Sequence, residues 1–132
     1  ARSGVVSPDL QRLKGLAWNE VGVIRQREGD RKGAAQALRL ALTFTPDVAE
    51  IHLNLAVLAL DGFGDLARAE EEAREALRLR PGSPDGLLTL AEILERRGQW
   101  TGAEAAWRQV LMADPDNVEA RQRLARAQAR RP

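Results

Sequence analysis

The sequence contains no cysteine and no tyrosine, and its single histidine is His52. Without cysteine the chain has no disulfide, no thiolate zinc site and no cysteine nucleophile, and it fits either the cytoplasm or the periplasm. One histidine cannot supply a histidine pair for a metal, and any nucleophile with a histidine base would depend on His52 alone. We therefore expect no enzyme activity, no metal and no cofactor, with His52 in the core or at the edge of a groove.

The chain also lacks a strong charge of either sign. A net charge of +1 gives no general attraction to nucleic acid or anionic lipid. No signal peptide and no apolar run long enough to span a bilayer is present, so we expect a soluble protein without direct membrane insertion. Arginine outnumbers lysine 18 to 2, which indicates genomic base composition rather than phosphate binding. We expect the chain to be one domain of a larger, bacterial protein assembly. Because the chain begins at Ala1 without methionine, we expect a processed product or a piece of a longer protein.

Strand signals are absent, since valine and isoleucine never alternate with polar residues while alanine, leucine, glutamate and arginine dominate. With 132 residues and 44% hydrophobic content, the chain forms one domain with its own core. The segment 51–60 is apolar on every side of a helical wheel except at His52 and Asn54. Such a helix must be covered by protein on both sides. We expect the rest of the chain to pack around it.

Helix start and stop signals occur in a regular order. Ser7-Pro8-Asp9 is a helix start, with serine as N-cap and proline at the first helical position, and the helix should end near Glu28. Gly29 suits a left-handed C-terminal cap, Asp30 caps the next helix, and Pro46 follows its end. The same signals recur twice, at Gly64, Asp65 and Pro81 and at Gly98, Gln99 and Pro115.

The spacing of these signals predicts a helical repeat. Pro46 and Pro81 are 35 residues apart, and Pro81 and Pro115 are 34 apart. The pattern resembles the tetratricopeptide repeat (TPR) family, whose 34-residue unit carries W-x2-L-G-x2-Y, A-x3-F, A and P. The matching residues are Trp18, Val21, Gly22, Ala34, Leu38, Ala41 and Pro46; Leu55, Ala56, Ala59, Ala69, Ala73, Ala76 and Pro81; and Leu87, Leu90, Ala91, Leu94, Ala103, Trp107, Val110 and Pro115.

This resemblance implies an all-α, right-handed α-solenoid of three TPR-like helix-turn-helix repeats with a C-terminal capping helix. Residues 1–14 would lengthen the first helix, residues 15–117 would form the repeats (15–48, 49–83 and 84–117), and residues 118–132 would form the capping helix and tail. Arg121 and Gln128 stand where core residues would be, which suits a polar outer face. The arginines of this helix form either a solvated cap or a site for phosphate or acidic protein.

The second unit has one extra residue, which we place in the turn 61–64, because loops absorb insertions at little cost. Phe63 in that turn is either an exposed anchor for a partner or folds back over the helix ends. On the second helix of this unit, Glu70 and Arg74 as well as Arg68 and Glu72 are spaced for i, i+4 ion pairs.

The resemblance further implies a concave groove lined by the first helix of each repeat. The chain would then be a non-catalytic protein-protein interaction module, an adaptor or scaffold that binds a peptide or helix of a partner. An apolar centre with polar surroundings suits an amphipathic helix with basic flanks. The expected groove residues are Asn19, Val23, Gln26, Leu53, Asn54, Val57, Leu60, Leu88, Thr89, Glu92 and Glu95.

Two alternatives remain open for this groove. A second copy of the chain would occupy it if the protein were a self-associating structural element, a homo-oligomer; the N-terminal extension or the C-terminal helix could also fill it. Family members that grip the C-terminal carboxylates of chaperones carry basic residues and asparagines at five positions, of which only Asn54 matches here. Asp85 at one of these positions would repel a carboxylate, so we do not expect this specificity.

Overall fold

A computed structural model describes residues 7–132, and this part of the chain is entirely helical apart from its turns. Consecutive helices joined by short turns pack in pairs, and the pairs stack on one another to form an all-α solenoid. The last helix packs on the helix before it. The helices are α1 (Pro8–Arg27), α2 (Arg31–Phe44), α3 (Ala49–Val57), α4 (Leu66–Leu79), α5 (Pro84–Arg96), α6 (Trp100–Ala113) and α7 (Val118–Arg130), with a π-helical turn (Leu58–Phe63) directly after α3.

The local start and stop signals act as expected except at Gln99, whose side chain makes no capping hydrogen bond to α6. The Ser7 hydroxyl accepts a hydrogen bond from the Leu10 backbone N–H at 3.1 Å and so caps α1. The Asp30 carboxylate caps α2 in the same way, at 2.9 Å from the Gly33 N–H. A glycine in the left-handed region ends the first helix of each pair, at Gly29 (φ 84°), Gly64 (φ 66°) and Gly98 (φ 72°).

The sequence predicts that the extra residue of the second unit enlarges the turn 61–64, and this prediction is wrong. The extra residue is taken up at the end of the first helix of this unit. The Asp65 N–H bonds to the Ala59 carbonyl at 2.8 Å, six residues back, whereas the equivalent Gln99 N–H bonds to the Leu94 carbonyl, five residues back, at 2.9 Å. The wider π-helical turn Leu58–Phe63 therefore absorbs one residue. Because the insertion is taken up there, the glycine turn and α4 keep the geometry of the other units.

Two hydrophobic cores meet at α3 and its π-helical turn. Ile51, Leu55 and Leu58 join the core between the first and second pairs, which also contains Leu38. The second core extends from α3 to α7, and from this helix it receives Ala56, Ala59 and Leu60. The segment 51–60 is therefore apolar on all sides mainly because it serves two cores at once. Of the expected groove-floor residues in this segment, Leu60 is buried, whereas the apolar Leu53 and Val57 and the polar Asn54 remain partly exposed.

The capping helix α7 is attached through small residues on one side and is polar on the other. Ala120 and Ala127 are fully buried in the second core. Arg121 and Gln128 are exposed, so the face of α7 that points away from the second core is polar. Asn117 caps α7 by accepting a hydrogen bond from the Ala120 N–H at 2.9 Å.

Candidate partner-binding groove

The first helices of the three pairs lie side by side and are joined by polar contacts. The Asn54 amide on α3 donates to the Asn19 Oδ1 on α1 at 2.8 Å. The Arg96 guanidinium at the end of α5 lies 3.5 Å from the Asp61 carboxylate in the π-helical turn. These contacts connect residues 35 positions apart in each case, so they link neighbouring repeats. The three helices thus present one continuous surface.

Three of the eleven groove residues expected from the sequence are buried in this structure. Asn19 is 2% exposed, Leu60 is 3% exposed and Glu95 is 7% exposed, so none of them offers a free side chain to a partner. Leu60 packs in the second core. Asn19 accepts a hydrogen bond from Asn54, and Glu95 accepts one from Trp107. The other eight are partly exposed: Val23, Gln26, Leu53, Asn54, Val57, Leu88, Thr89 and Glu92.

Glu95 is held by both the last pair and the capping helix. The Trp107 indole Nε1–H donates to its Oε1 at 2.6 Å, while Arg123 and Arg126 on α7 donate to its Oε2 at 2.8 and 2.6 Å. Burial alone raises the pKa of the Glu95 carboxyl, but the hydrogen bonds from Arg123, Trp107 and Arg126 outweigh it and hold this pKa below its ordinary value of 4.5. At this end of the surface, α7 therefore occupies the position that the sequence left open to a partner.

The remaining arginines of the C-terminal helix are also engaged within the chain. Arg131 lies 3.1 Å from the Glu104 carboxylate, and the Arg121 Nε donates to the Pro115 carbonyl at 3.0 Å. The Arg130 guanidinium lies over the Trp100 ring, 5.2 Å from its centroid. The sequence does not reveal the partners of these arginines, because the partners lie on other helices or in turns. It does show that Arg123 and Arg126, three residues apart, share one side of a helix. Their engagement favours the structural cap over an anion site.

The partly exposed centre of the surface is apolar and lies beside a pocket of about 180 Å³. Leu53 lines this pocket together with the acidic Glu50 and Asp85, with Arg80 as its one basic residue. Val57 and Leu88 are likewise partly exposed on the same helices, α3 and α5. The candidate groove is thus a short apolar strip, and the charged residues of the pocket beside it are two carboxylates and one guanidinium.

His52 has a structural role within the second pair. Its Nε2 donates to the Pro46 carbonyl at 2.9 Å, and its Nδ1 lies 3.4 Å from the Glu72 carboxylate. Because Glu72 faces His52, the predicted ion pair between Arg68 and Glu72 is not formed, whereas the Glu70–Arg74 pair is, at 2.8 Å. Among residues 7–132 no group of three or more metal-ligating side chains converges. None of the helices within this range is both long and apolar enough to cross a membrane.

Comparison with known proteins places this arrangement in a family. Two family models described as "Tetratricopeptide repeat" match the chain, one over residues 10–84 and the other over residues 84–127. The zebrafish (Danio rerio) protein "Tetratricopeptide repeat protein 17" is 31% identical over 112 residues, which are 81% of this chain. The chain spans only 9% of the length of that relative.

Solved structures share the fold at low sequence identity. The structure described as "Arabidopsis OM64 TPR domain" has a TM-score of 0.82 at 18% identity and covers 90% of this chain and 98% of its own. The "First TPR of Spaghetti (RPAP3) bound to HSP90 peptide SRMEEVD" has a TM-score of 0.81 at 19% identity and covers 89% and 95%. The "Crystal structure of MamA" has a TM-score of 0.81 at 16% identity and covers 87% and 67%.

Proposed function

The chain belongs to the tetratricopeptide repeat family, and from this premise we propose that it is a non-catalytic adaptor or scaffold that binds the apolar face of a partner helix along α1, α3 and α5. Two similar TPR structures are described as bound to peptides, one to the HSP90 peptide SRMEEVD and the other to the HSP70 peptide SGPTIEEVD. These neighbours support a protein or peptide as the partner class. At 19% and 18% identity they do not specify the sequence of the partner, which depends on this chain's own surface residues.

The observation that carries the proposal is the apolar strip that the packed helices leave partly exposed. Val23, Leu53, Val57 and Leu88 form this strip, and each is only partly covered by the rest of the chain. Contiguous exposed apolar surface usually marks an interaction site. The apolar face of an amphipathic helix, with side chains at i, i+3, i+4 and i+7, matches a short strip of this kind.

Charge around the strip favours a helix with basic flanks. Glu50 and Asp85 line the pocket beside Leu53, and Glu92 is partly exposed on α5, where the Arg96 guanidinium lies 3.4 Å from its carboxylate. These carboxylates would repel an acidic peptide tail and attract lysine or arginine. The Asn54 amide, the one residue that matches the carboxylate-gripping pattern, already donates to Asn19. Recognition of a C-terminal carboxylate therefore does not fit this surface.

The expected affinity is modest. Complete burial of an exposed aliphatic side chain contributes roughly 1.5–3 kcal/mol, and the four residues of the strip are already partly covered. Association costs about 4–15 kcal/mol, so the polar and charged rim must supply part of the binding free energy. We therefore expect dissociation constants on the order of micromolar.

A peptide titration tests this proposal. The probe is a fluorescent synthetic helix with leucines on one face and lysines on its flanks, and the measurement is its anisotropy on titration with the protein. In Leu53→Gln with Leu88→Gln, we expect the dissociation constant to rise at least about tenfold, because a loss of 1.4 kcal/mol is a factor of ten. Glutamine adds no charge and is a good helix former, so helicity and the melting temperature should change little.

The matched control is Met112→Gln with Val118→Gln, since both residues are large, exposed and apolar but lie on α6 and α7. This variant should bind the probe like the wild type, and a peptide of the same composition in scrambled order should bind neither protein. Equal loss in both double variants would show that the strip is not the site. Light scattering over a dilution series addresses self-association: a dimer that Leu53→Gln with Leu88→Gln dissociates would assign the strip to a second copy instead.

A further inference from the structure

A pocket of about 310 Å³ lies between α2 and α4, away from the proposed groove. Its floor is apolar and consists of the buried residues Ala35 on α2 and Leu55, Leu58 and Ala59 on α3 and its π-helical turn. At 3.6 residues per turn, Leu55 projects from the side of α3 opposite to Leu53. A ligand in this pocket would therefore not contact the groove.

The rim of the pocket combines an aromatic ring with two arginines. Phe63 is 50% exposed, so it neither projects freely into solvent nor folds completely over the helix ends. Arg39 and Arg68 line the same pocket, and neither forms an ion pair with any residue in the described range 7–132. Asp65, the one acidic residue of the rim, caps α4 by accepting from the Arg68 backbone N–H at 3.1 Å.

The equivalent furrow one repeat further on provides an internal comparison. It lies between α4 and α6 and has a similar size, about 300 Å³. Arg74, the ninth residue of α4, stands where Arg39 stands in α2, but Glu70 replaces Ala35 four residues earlier and neutralises it at 2.8 Å. Gly102 replaces Arg68, and no aromatic side chain lines this furrow. Of these two pockets, the first has the unpaired arginines and the aromatic rim, and the second has neither.

The inserted residue helps to produce this difference. The π-helical turn that absorbs it ends at Phe63, the residue that lines the pocket, whereas α5 has no such turn. Single π-helical turns within α-helices occur frequently at functional sites. Here the result is an aromatic ring beside an apolar floor and two cationic groups.

We propose that this pocket is a second binding site, for an acidic peptide segment that carries one large apolar side chain. The apolar side chain would enter beside Phe63 and cover the floor formed by Leu55 and Leu58. Flanking carboxylates would pair with Arg39 and Arg68, whose planar guanidinium groups suit bidentate hydrogen bonds. The partner chemistry is opposite in charge to that of the groove, so the two sites would take different segments.

The test uses a short capped peptide with one phenylalanine between runs of glutamate, together with matched peptides in which alanine replaces the phenylalanine or lysine replaces the glutamates. Backbone amide NMR shifts on titration give both the site and the dissociation constant. We expect the largest shifts at Phe63, Arg39 and Arg68, and binding at least about tenfold weaker for the alanine peptide and for the lysine peptide.

Variants separate this site from general electrostatic attraction. Arg39→Gln with Arg68→Gln should weaken binding at least about tenfold, and Phe63→Ala at least about fivefold. Arg74→Gln with Arg108→Gln removes the same charge from exposed positions elsewhere and should leave the dissociation constant within about twofold of wild type. Circular dichroism checks that each variant is folded.

Three results would overturn the inference: no binding of the phenylalanine peptide, equal weakening by both arginine pairs, or shifts centred on Leu53 and Leu88. In the last case Leu53→Gln with Leu88→Gln would abolish binding, and the groove rather than this pocket would be the site. If the phenylalanine peptide binds the pocket while the basic helix does not bind the groove, the pocket proposal is supported and the groove proposal is contradicted.

Discussion

Trp107 is the largest fully buried side chain in the described part of the chain, with 1% of its surface exposed. It fills the space between α5 and α6 while its indole N–H donates to Glu95. One residue therefore supplies apolar volume to the second core and a hydrogen bond to the contact with α7. Truncating Trp107 should therefore lower the free energy of unfolding more than truncating a residue of similar size at the edge of the core.

We predict that Trp107→Ala lowers the free energy of unfolding by about 3–5 kcal/mol, because the large cavity cannot collapse fully and Glu95 loses a donor. Urea unfolding followed by circular dichroism measures this change. Trp100→Ala is the control: Trp100 is only partly buried, so its replacement should cost less. A variant at position 107 with near-native stability would contradict the assignment of this residue to the core.

At the scale of the element, the docking of α7 depends on an ionised carboxylate. Arg123 and Arg126 reach Glu95 on α5, and their hydrogen bonds lower the pKa of this group below 4.5. A carboxyl whose pKa is lower in the folded state stabilises that state above its unfolded pKa and loses this contribution as the pH falls through the folded pKa. Acid should therefore weaken the docking of α7, which the buried Ala120 and Ala127 continue to support.

We predict that the wild type loses stability as the pH falls below about 4.5, and that Glu95→Gln loses less over the same interval while being less stable at neutral pH. Urea titrations across this range measure both effects. Glu75→Gln serves as control, because Glu75 also has a lowered pKa through Arg78 but lies in a solvent-exposed pair that contributes little. If the free energy of unfolding falls equally with pH in the wild type and in Glu95→Gln, the acid sensitivity does not depend on the Glu95 carboxylate.

At the scale of the whole molecule, the two cores make the chain a sequence of neighbouring contacts rather than one central cluster. The first core joins α1 and α2 to α3, and the second joins α3 to the last four helices. In repeat proteins, stability is approximately a sum of unit and nearest-neighbour terms. Damage to one core should therefore act mainly on the helices that contribute to it.

We predict that Leu38→Ala and Leu94→Ala each cost about 2–5 kcal/mol but loosen different parts of the chain. Leu38 is buried in the first core and Leu94 in the second. Hydrogen exchange should lose protection mainly in α1 and α2 for the first variant and mainly in α5 to α7 for the second. A uniform loss in both variants would show that the chain unfolds as one cooperative unit.

The helices and their repeat could be predicted from the sequence because they depend on residues that are close together along the chain. Ser7, Asp30 and the positive-φ glycines act through backbone geometry and hydrogen bonds within a few residues, and the all-α class follows from composition and helix propensity. The period of 34 and 35 residues is visible because each unit reuses the same start and stop signals.

The accessible part of the candidate groove was decided only by tertiary structure. Whether Leu60 and Asn19 are exposed depends on how closely neighbouring pairs approach, and Glu95 is covered by arginines 28 and 31 positions away. Likewise, the same helix spacing permits Arg68 to pair with Glu72, but Glu72 faces His52, so Arg68 is left at a pocket. Helical periodicity specifies which side chains share a face, whereas the relative position of packed helices decides which of them meet a partner, because that position is set by contacts between residues distant in the chain.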